Sequence, residues 1–273
     1  MIFRGWALLT LISIPLGIMA SGEDKAIGGR AAAMGGVSVT GSDMWSVVNN
    51  PAGLAYADRI KAGLFGDNNF LLKEISTMAA GIVIPLWRGG AGVYCQRYGF
   101  SLYNETRAAL SYGMKLARHF SAGVQLDYLR FQIGEGYGSC NLFICSVGLQ
   151  YMIRSRLTIG FHIYNPIMVR LTKDPEEKVP ATFRLGLAWK LSPVLTTVIE
   201  TEKELSQKPI LKAGMEYQAA KPILVRIGFH SNPTTFTFGT GLILGKLEMD
   251  ISSSYNLVLG YSPQVSLQYK FKK

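Results

Sequence analysis

The chain has 273 residues, of which 48% are hydrophobic and 17% are charged, and its formal net charge is +10. Its basic residues are scattered singly and do not alternate with aromatic residues in a cluster, so the charge does not indicate a nucleic-acid-binding surface. The three cysteines lack the spacing of a zinc site, and we predict neither a metal nor another cofactor.

The first residues have the pattern of a secretory signal peptide. Arg4 supplies a positive charge, residues 5–19 form a mostly apolar run, and Ala20 begins a stretch of small residues. The run is shorter than the roughly 20 residues that a transmembrane helix needs. We therefore assign residues 1–20 to a cleaved signal peptide and expect the protein to be exported; a retained N-terminal anchor is the alternative.

Residues 21–56 are dominated by small residues, and glycine interrupts them too often for a stable lone helix. Asn49-Asn-Pro-Ala-Gly53 is a turn sequence, because proline lacks an N–H donor and glycine permits positive φ. Small residues can pack closely against another backbone, so we predict that this segment plugs the lumen of the following domain. If residues 50–53 contact the wall through their backbone, Gly53→Val should displace the plug. The residues assigned to the plug motif are Gly29, Arg30, Gly35, Gly36, Asn50, Pro51, Ala52, Gly53 and Leu54.

Residues 57–273 divide into alternating apolar and polar runs of the length that a tilted membrane strand needs, separated by short turns. The predicted strands are residues 59–66, 75–87, 90–98, 105–117, 120–133, 140–154, 156–164, 181–191, 194–203, 209–219, 221–231, 234–244, 246–255 and 261–271. Outside the signal peptide no apolar run approaches the length of a spanning helix, and a membrane protein without helical spans must be a closed barrel. We predict an all-β fold, a transmembrane antiparallel β-barrel of about 14 strands, with a soluble β-sandwich as the alternative.

The alternation gives each strand an apolar face for lipid and a polar face for a lumen. Phe183, Leu185 and Leu187, for example, alternate with Arg184 and Gly186. Because buried charges need partners, we expect a lumen of mixed sign. The polar residues predicted to face the lumen are Asp127, Arg184, Lys190, Lys212, Glu216, Arg226, Glu248 and Asp250, together with the cations Lys115 and Lys270.

The turns predict which end of the barrel faces the periplasm. Tight connections near this rim are expected at residues 115–119, 153–156, 190–193 and 218–222. The longer links, residues 66–75, 134–139, 170–180 and 204–209, are then extracellular. These links are still short, and they leave little material for an elaborate outer binding site.

No set of catalytic residues emerges from the sequence. His162 and His230 fall on predicted inward faces and His119 in a turn, and no Gly-x-Ser-x-Gly motif occurs. Gly134-Glu-Gly-Tyr-Gly138 is not followed by the Lys-Ser/Thr of a phosphate-binding loop. We expect a protein that is not an enzyme.

Four stretches resemble outer-membrane barrels of the FadL superfamily, and within it the PorV/PorQ-like branch of Bacteroidota. They are residues 29–37, 50–55, 111–116 and 228–239, and the resemblance runs from about residue 27 to the C-terminus. It implies a location in the outer membrane of a Gram-negative bacterium, in contact with its lipids. The chain is shorter than members of either group, and it ends in Lys272-Lys273 rather than directly on Phe271.

The resemblance implies two different functions. PorV/PorQ-like barrels do not transport solutes but serve type IX secretion, so the chain would be an adaptor or structural subunit of a larger outer-membrane secretion or assembly complex. Its partners would then be other outer-membrane or surface-exposed proteins. Resemblance to the FadL-type members instead implies a diffusion channel for long-chain fatty acids or other hydrophobic small molecules. We favour the adaptor, because the assigned inward residues do not form the continuous apolar path that a hydrophobic solute requires.

Overall fold

The computed structural model describes residues 24–134, 138–154, 156–171 and 178–272, so the predicted signal peptide lies outside the described residues. Fourteen β-strands form the fold. They are β1 Lys61–Asn68, β2 Ser76–Leu86, β3 Gly89–Gly99, β4 Tyr103–Lys115, β5 Phe120–Ile133, β6 Gly138–Ile153, β7 Leu157–Tyr164, β8 Thr182–Lys190, β9 Leu195–Glu204, β10 Ile210–Ala220, β11 Ile223–Ser231, β12 Thr234–Leu244, β13 Leu247–Asn256 and β14 Gly260–Lys270.

Each strand pairs antiparallel with the next, and β14 pairs with β1 to close a barrel. The closing ladder places Lys61 opposite Lys270 and Leu64 opposite Leu267. Closure gives every strand two hydrogen-bonded neighbours and leaves no sheet edge. The predicted fold class, an antiparallel barrel of 14 strands, is confirmed, and no predicted strand boundary differs from the observed one by more than two residues.

The two faces of the barrel wall differ in polarity. Large apolar side chains point outward and are strongly exposed, such as Leu64 at 59%, Met78 at 72% and Leu110 at 60% of their surface. Most of the inward positions between them are small or polar, and they are mostly buried. This arrangement is the reverse of that in a soluble barrel, where the outer surface is polar.

The connections between strands alternate between the two ends of the barrel. At the end where β1 begins and β14 finishes, here called the terminal end, six links of two to four residues join the strands. The opposite end, here called the far end, carries the β1–β2 link with its short 3-10 helices Asn69–Leu71 and Lys73–Ile75, and the longest link, between β7 and β8. The links predicted to be periplasmic all lie at the terminal end, and those predicted to be extracellular lie at the far end.

The described residues before β1, from residue 24 onward, form three short helical elements: α1 Gly29–Ala33, α2 Ser46–Asn49 and the 3-10 helix Pro51–Tyr56. Most of their side chains are buried, and they contact inward-facing residues of β3–β6 and β11–β14. We call residues 24–56 the N-terminal segment. Among the described residues, no helix is both long enough and apolar enough to cross a membrane.

Candidate functional site: the interior of the barrel

Asn50 fastens the N-terminal segment to the barrel wall. Its fully buried side-chain amide donates hydrogen bonds to the carbonyl oxygen of Val39 at 2.6 Å and to that of Phe161 in β7 at 3.3 Å. Its side-chain oxygen accepts a hydrogen bond from the backbone N–H of Ala52 at 3.1 Å, which caps the 3-10 helix that Pro51 begins. One side chain therefore sets the path of the segment and joins it to the sheet.

A row of glycines makes room for this contact. Gly90, Gly113, Gly123 and Gly148 lie directly opposite one another across β3–β6. An added Cβ would lie 2.0 Å from the carbonyl oxygen of Pro51 at Gly113, and 1.9 Å from the Asn50 side-chain oxygen at Gly148. The backbone of the segment thus rests on the backbone of the wall, and any side chain in this row would push the two apart.

A second group of glycines receives the end of α1. Gly35 adopts φ 73°, and its N–H donates to the Thr237 hydroxyl at 2.8 Å. A Cβ at Gly228 in β11 would lie 2.2 Å from the nitrogen of Gly35, and a Cβ at Gly214 would lie 2.5 Å from Cβ of Met34. Gly36 follows directly with φ 79°, and a Cβ added to it would lie 3.8 Å from the Lys212 side chain. Two separate stretches of the segment are therefore fitted to side-chain-free parts of the wall.

Apolar side chains fill the space between α2 and β1–β4. Trp45, 1% exposed, meets the Phe65 ring edge-on, with the ring centroids 6.0 Å apart. Leu54, from the predicted plug motif, belongs to the same cluster. Gly53 lies elsewhere: its Cα faces the carbonyl oxygen of Gly41 within the segment, so a Cβ there would be only 2.4 Å away. Residues 50–53 therefore contact the wall through Asn50 and Pro51, and Gly53 packs within the segment itself.

A buried ion network joins the start of the N-terminal segment to the wall. The Asp24 carboxylate pairs with Arg107 of β4 at 3.0 Å and with Arg184 of β8 at 3.1 Å. Arg184 also pairs with Glu202 of β9 at 2.6 Å, and Glu202 with Lys212 of β10 at 2.7 Å. These five side chains alternate in sign, so each buried charge has at least one opposite neighbour.

The ends of this first network reach two further parts of the interior. Arg107 also binds Asp127 of β5 at 2.6 Å. Beside Lys212, the buried carboxylate of Glu200 accepts hydrogen bonds from the backbone N–H groups of Ser38 and Val39 at 2.8 and 2.9 Å. The network thus holds the segment both at its start and in the stretch between α1 and α2.

A second network anchors α1. Arg30 donates two hydrogen bonds to Glu216 of β10, at 2.9 and 3.1 Å, in a bidentate pair. Glu216 also pairs with Arg226 of β11 at 2.7 Å, and Arg226 with Asp250 of β13 at 2.6 Å. The Gly29 N–H donates to the Ser266 hydroxyl at 3.2 Å, and that hydroxyl donates to Asp250 at 3.0 Å.

The ion-pair partners of Asp24 and Arg30 favour the ionised forms of these two side chains. Burial raises the pKa of the Asp24 carboxyl, but Arg184 and Arg107 together outweigh burial and hold this pKa below its ordinary value of 3.8. Burial lowers the pKa of Arg30, and Glu216 more than reverses the change. Asp43 differs, because burial raises its pKa and Arg30 opposes this only in part.

An apolar patch lies inside the barrel toward the far end. It is formed by inward-facing residues of β5–β7 with one residue before β8, namely Leu129, Phe131, Leu142, Ile144, Tyr164 and Val179. The Tyr164 ring lies 5.0 Å from the guanidinium carbon of Arg107, so the patch borders the first ion network directly. These apolar residues were not among those predicted to face the lumen, so the interior is more apolar than expected.

The structure brings together six of the eight residues predicted to face the lumen: Asp127, Arg184, Lys212, Glu216, Arg226 and Asp250. Lys190 does not belong to either ion network. It is the last residue of β8 and is exposed beside the β8–β9 link, because alternation reports a face of the sheet but not a height along it. Lys115 is likewise exposed at the end of β4, and Glu248 and Lys270 form a half-buried pair of their own at 3.0 Å.

The two ion networks contain four residues that were neither predicted to face the lumen nor assigned to the plug motif: Asp24, Arg107, Glu200 and Glu202. A signal for the two glutamates was present, since Glu200, Glu202 and Glu204 recur at every second position of β9. Arg107 stands on a strand whose opposite face includes the small residue Ala108, so the contrast between its faces is weak. Asp24 belongs to a segment without periodicity, and its role appears only when the barrel closes around it.

Comparison with protein-family models gives no match, and comparison with curated proteins gives none either. Comparison with solved structures gives clear matches. The Ralstonia pickettii toluene transporter TbuX matches with a TM-score of 0.69 and 13% sequence identity over 91% of this chain and 99% of the transporter. The P. putida toluene transporter TodX matches with a TM-score of 0.69 and 13% identity over 92% and 100%. A Pseudomonas aeruginosa FadL homologue gives 0.66 and 12% over 91% and 100%. The chain has the fold of these barrels.

Proposed function

We propose that the protein is a FadL-type barrel through which a small hydrophobic solute crosses an outer membrane. The observation that carries the proposal is the N-terminal segment, which is held across the interior of a barrel of this fold just beyond an apolar patch. Solved barrels of the same fold include toluene transporters and a monoaromatic hydrocarbon channel. The function is non-enzymatic, and the expected small-molecule partner is apolar.

The wall supports a membrane location. Exposed large apolar side chains cover its outer face, and such a surface is stable only against lipid. Aromatic side chains stand near both ends of this surface, for example Trp189 and Tyr217 toward the terminal end and Phe143 and Tyr261 toward the far end. Aromatic girdles of this kind mark the two interfaces of outer-membrane barrels. We place the protein in the outer membrane of a Gram-negative bacterium.

Passage of a solute requires movement of the N-terminal segment. The strand ladder is closed all the way around, and the segment is fastened on two sides by glycine contacts and ion pairs. A solute entering from the far end meets the apolar patch first and then the charged layer around Asp24 and Arg184. An apolar solute can occupy the patch, and displacement of the segment then opens the route beyond it.

The adaptor role expected from the PorV/PorQ-like resemblance has less support than the channel. The structural neighbours named above are transporters and a FadL homologue, and the interior carries an apolar patch that the sequence analysis did not foresee. We therefore propose the FadL-type channel, the second of the two functions that the resemblance implies. A Bacteroidota source and a protein partner rest on the resemblance alone.

Uptake of labelled toluene by Gram-negative cells tests the proposal. Cells that lack a hydrocarbon channel of their own are given either this protein or an empty vector, and folded barrel in the outer membrane is quantified by its heat-modifiable mobility in gels. We expect toluene uptake to rise with the amount of folded barrel, while labelled sucrose uptake stays at the vector level. Toluene uptake equal to that of the vector, from cells with abundant folded barrel, would overturn the channel. Stoichiometric recovery of another barrel from the same cells would then favour the adaptor.

A further inference from the structure

The positive charge of the chain is concentrated at one end of the barrel. Within the terminal end, residues 57–61, 86–89, 115–120, 153–157, 190–195, 220–223, 244–248 and 270–272 contain twelve basic and two acidic residues. The basic residues are Arg59, Lys61, Arg88, Lys115, Arg118, Arg154, Arg156, Lys190, Lys221, Lys246, Lys270 and Lys272. Their excess of ten equals the formal net charge of +10 of the whole chain, so the other charges cancel.

The far end has no such excess. Counted along the sequence, the links there, residues 69–75, 100–102, 134–137, 165–181, 205–209, 232–233 and 257–259, contain five basic and five acidic residues. The asymmetry is therefore a property of the terminal end and not a general feature of the links. Every one of the six strand links at the terminal end has a basic residue in it or at its border.

Most of these cations are exposed and have no carboxylate partner. The two acidic residues there, Asp58 and Glu248, pair with Arg59, Lys61 and Lys270. The other nine basic residues are exposed, and none forms an ion pair with any other described residue. A ring of exposed cations without carboxylate partners, around the edge of an apolar surface, repels itself and attracts anions from outside the chain.

One part of this ring encloses a cavity. Between the β2–β3 link and the β4–β5 link lies a cavity of about 520 Å³ lined by Arg88, Lys115 and Arg118, with Trp87 beside them. No acidic side chain lines it. Trp87 is 91% exposed, which places an indole at the border between the apolar outer surface and the cations. The volume is within the range of sites that hold small ligands.

We propose that the ring at the terminal end binds the headgroups of anionic phospholipids and that this cavity holds one headgroup phosphate. Outer-membrane barrels have their short links on the periplasmic side, where the leaflet is made of phospholipid. Anionic headgroups attract basic residues at a membrane surface, and the attraction fades within a Debye length, so residues in the ring itself are the ones that benefit. The proposal rests on the membrane location proposed above, but not on solute transport.

Lipid binding to the purified mature protein tests the proposal. The protein is stripped of lipid in a mild detergent and titrated with dioleoylphosphatidylglycerol or dioleoylphosphatidylcholine, and bound lipids are counted by native mass spectrometry. The cavity variant is Arg88→Gln/Lys115→Gln/Arg118→Gln. The matched control, Lys73→Gln/Arg170→Gln/Lys208→Gln, removes the same charge from exposed residues near or in the links of the far end. The wild-type comparison of the two lipids needs no variant, so a variant that fails to fold leaves the test intact.

We expect the wild type to bind the anionic lipid about tenfold or more tightly than the zwitterionic one, the cavity variant to lose most of this preference, and the control to keep it. Equal affinity for the two lipids in the wild type would overturn the proposal. So would full retention of the preference by a folded cavity variant, or displacement of the lipid by glycerol 3-phosphate at matched ionic strength, which would indicate a free-phosphate site. The phospholipid titration contains no hydrocarbon, so a negative result in the toluene-uptake experiment would not affect the measured lipid preference.

Discussion

The interior shows at the scale of single residues how the absence of a side chain can hold a structure together. Gly53 is the clearest case within the N-terminal segment, since an added Cβ would lie 2.4 Å from the Gly41 carbonyl oxygen and 2.5 Å from the Ser46 hydroxyl. We expect Gly53→Val to lower the free energy of unfolding by about 1–3 kcal/mol, because the segment must shift to admit the side chain. The shift should also expose Trp45, now buried in the adjacent cluster, to acrylamide quenching.

A matched control for this substitution is available in the wall. Gly66 in β1 has no atom within 4 Å of the position that a Cβ would take. Gly66→Val should therefore leave both the unfolding free energy and the accessibility of Trp45 unchanged. Both measurements are made with Trp87→Phe/Trp189→Phe as the background, so that Trp45 is the fluorescent indole of the mature chain. Unchanged quenching and stability in Gly53→Val would contradict the close packing inferred here.

At the scale of the secondary-structure elements, Arg226 joins three strands while Arg30 joins α1 to only one of them. Arg226→Met removes the described ion-pair partner of Asp250, which keeps its hydrogen bond from Ser266, and one of the two ion-pair partners of Glu216. Breaking a buried network in this way costs about 3–5 kcal/mol, because uncompensated charge remains inside. Arg30→Met leaves Glu216 paired with Arg226, so we expect a smaller loss of about 1–3 kcal/mol. Urea unfolding in detergent measures both values.

The order of these two losses is the informative result. Arg170→Met serves as the control, since Arg170 is exposed in the β7–β8 link and its loss should change stability by no more than about 0.5 kcal/mol. If Arg30→Met proved as costly as Arg226→Met, the segment and not the wall would be the main support of the network.

The elements also show which parts of this structure the sequence could predict. Strand positions followed from alternation, because residues that face lipid are mostly apolar and residues that face the interior are mostly small or polar. Alternation predicted Arg184 and Arg226 to face the lumen, and both side chains are buried in ion pairs. Alternation does not report how far along the barrel axis a residue lies. Lys190 was therefore predicted to face the lumen, although it ends β8 at the rim of the barrel. The path of the N-terminal segment has no period, and it depends on glycines in distant strands such as Gly148 and Gly228.

At the scale of the whole molecule, charge is divided into two arrangements with opposite consequences. Inside the barrel, cations and carboxylates alternate and are nearly balanced, which ties the N-terminal segment to the wall. At the terminal end, cations stand unpaired around the circumference. The first arrangement favours one closed conformation of the isolated chain, while the second attracts anions from outside the chain. Because the Asp24 carboxylate is part of the interior arrangement, the conformation of the N-terminal segment should respond to pH.

Asp24 gives this response a definite sign. Its pKa in the folded protein is below its ordinary value of 3.8, so its ionised form favours the seated segment. This contribution is fully present above about pH 4 and is lost as the pH falls through the lower folded pKa. Asp24→Asn removes the charge at every pH and leaves Arg107 and Arg184 short of one partner. We expect the variant to show greater quenching of Trp45 than the wild type at pH 7, and the difference between them to shrink as the pH is lowered below 3.8. The difference isolates Asp24, because every other carboxyl titrates in both proteins. A difference that stayed constant down to pH 2 would mean that the Asp24 charge does not hold the segment in place.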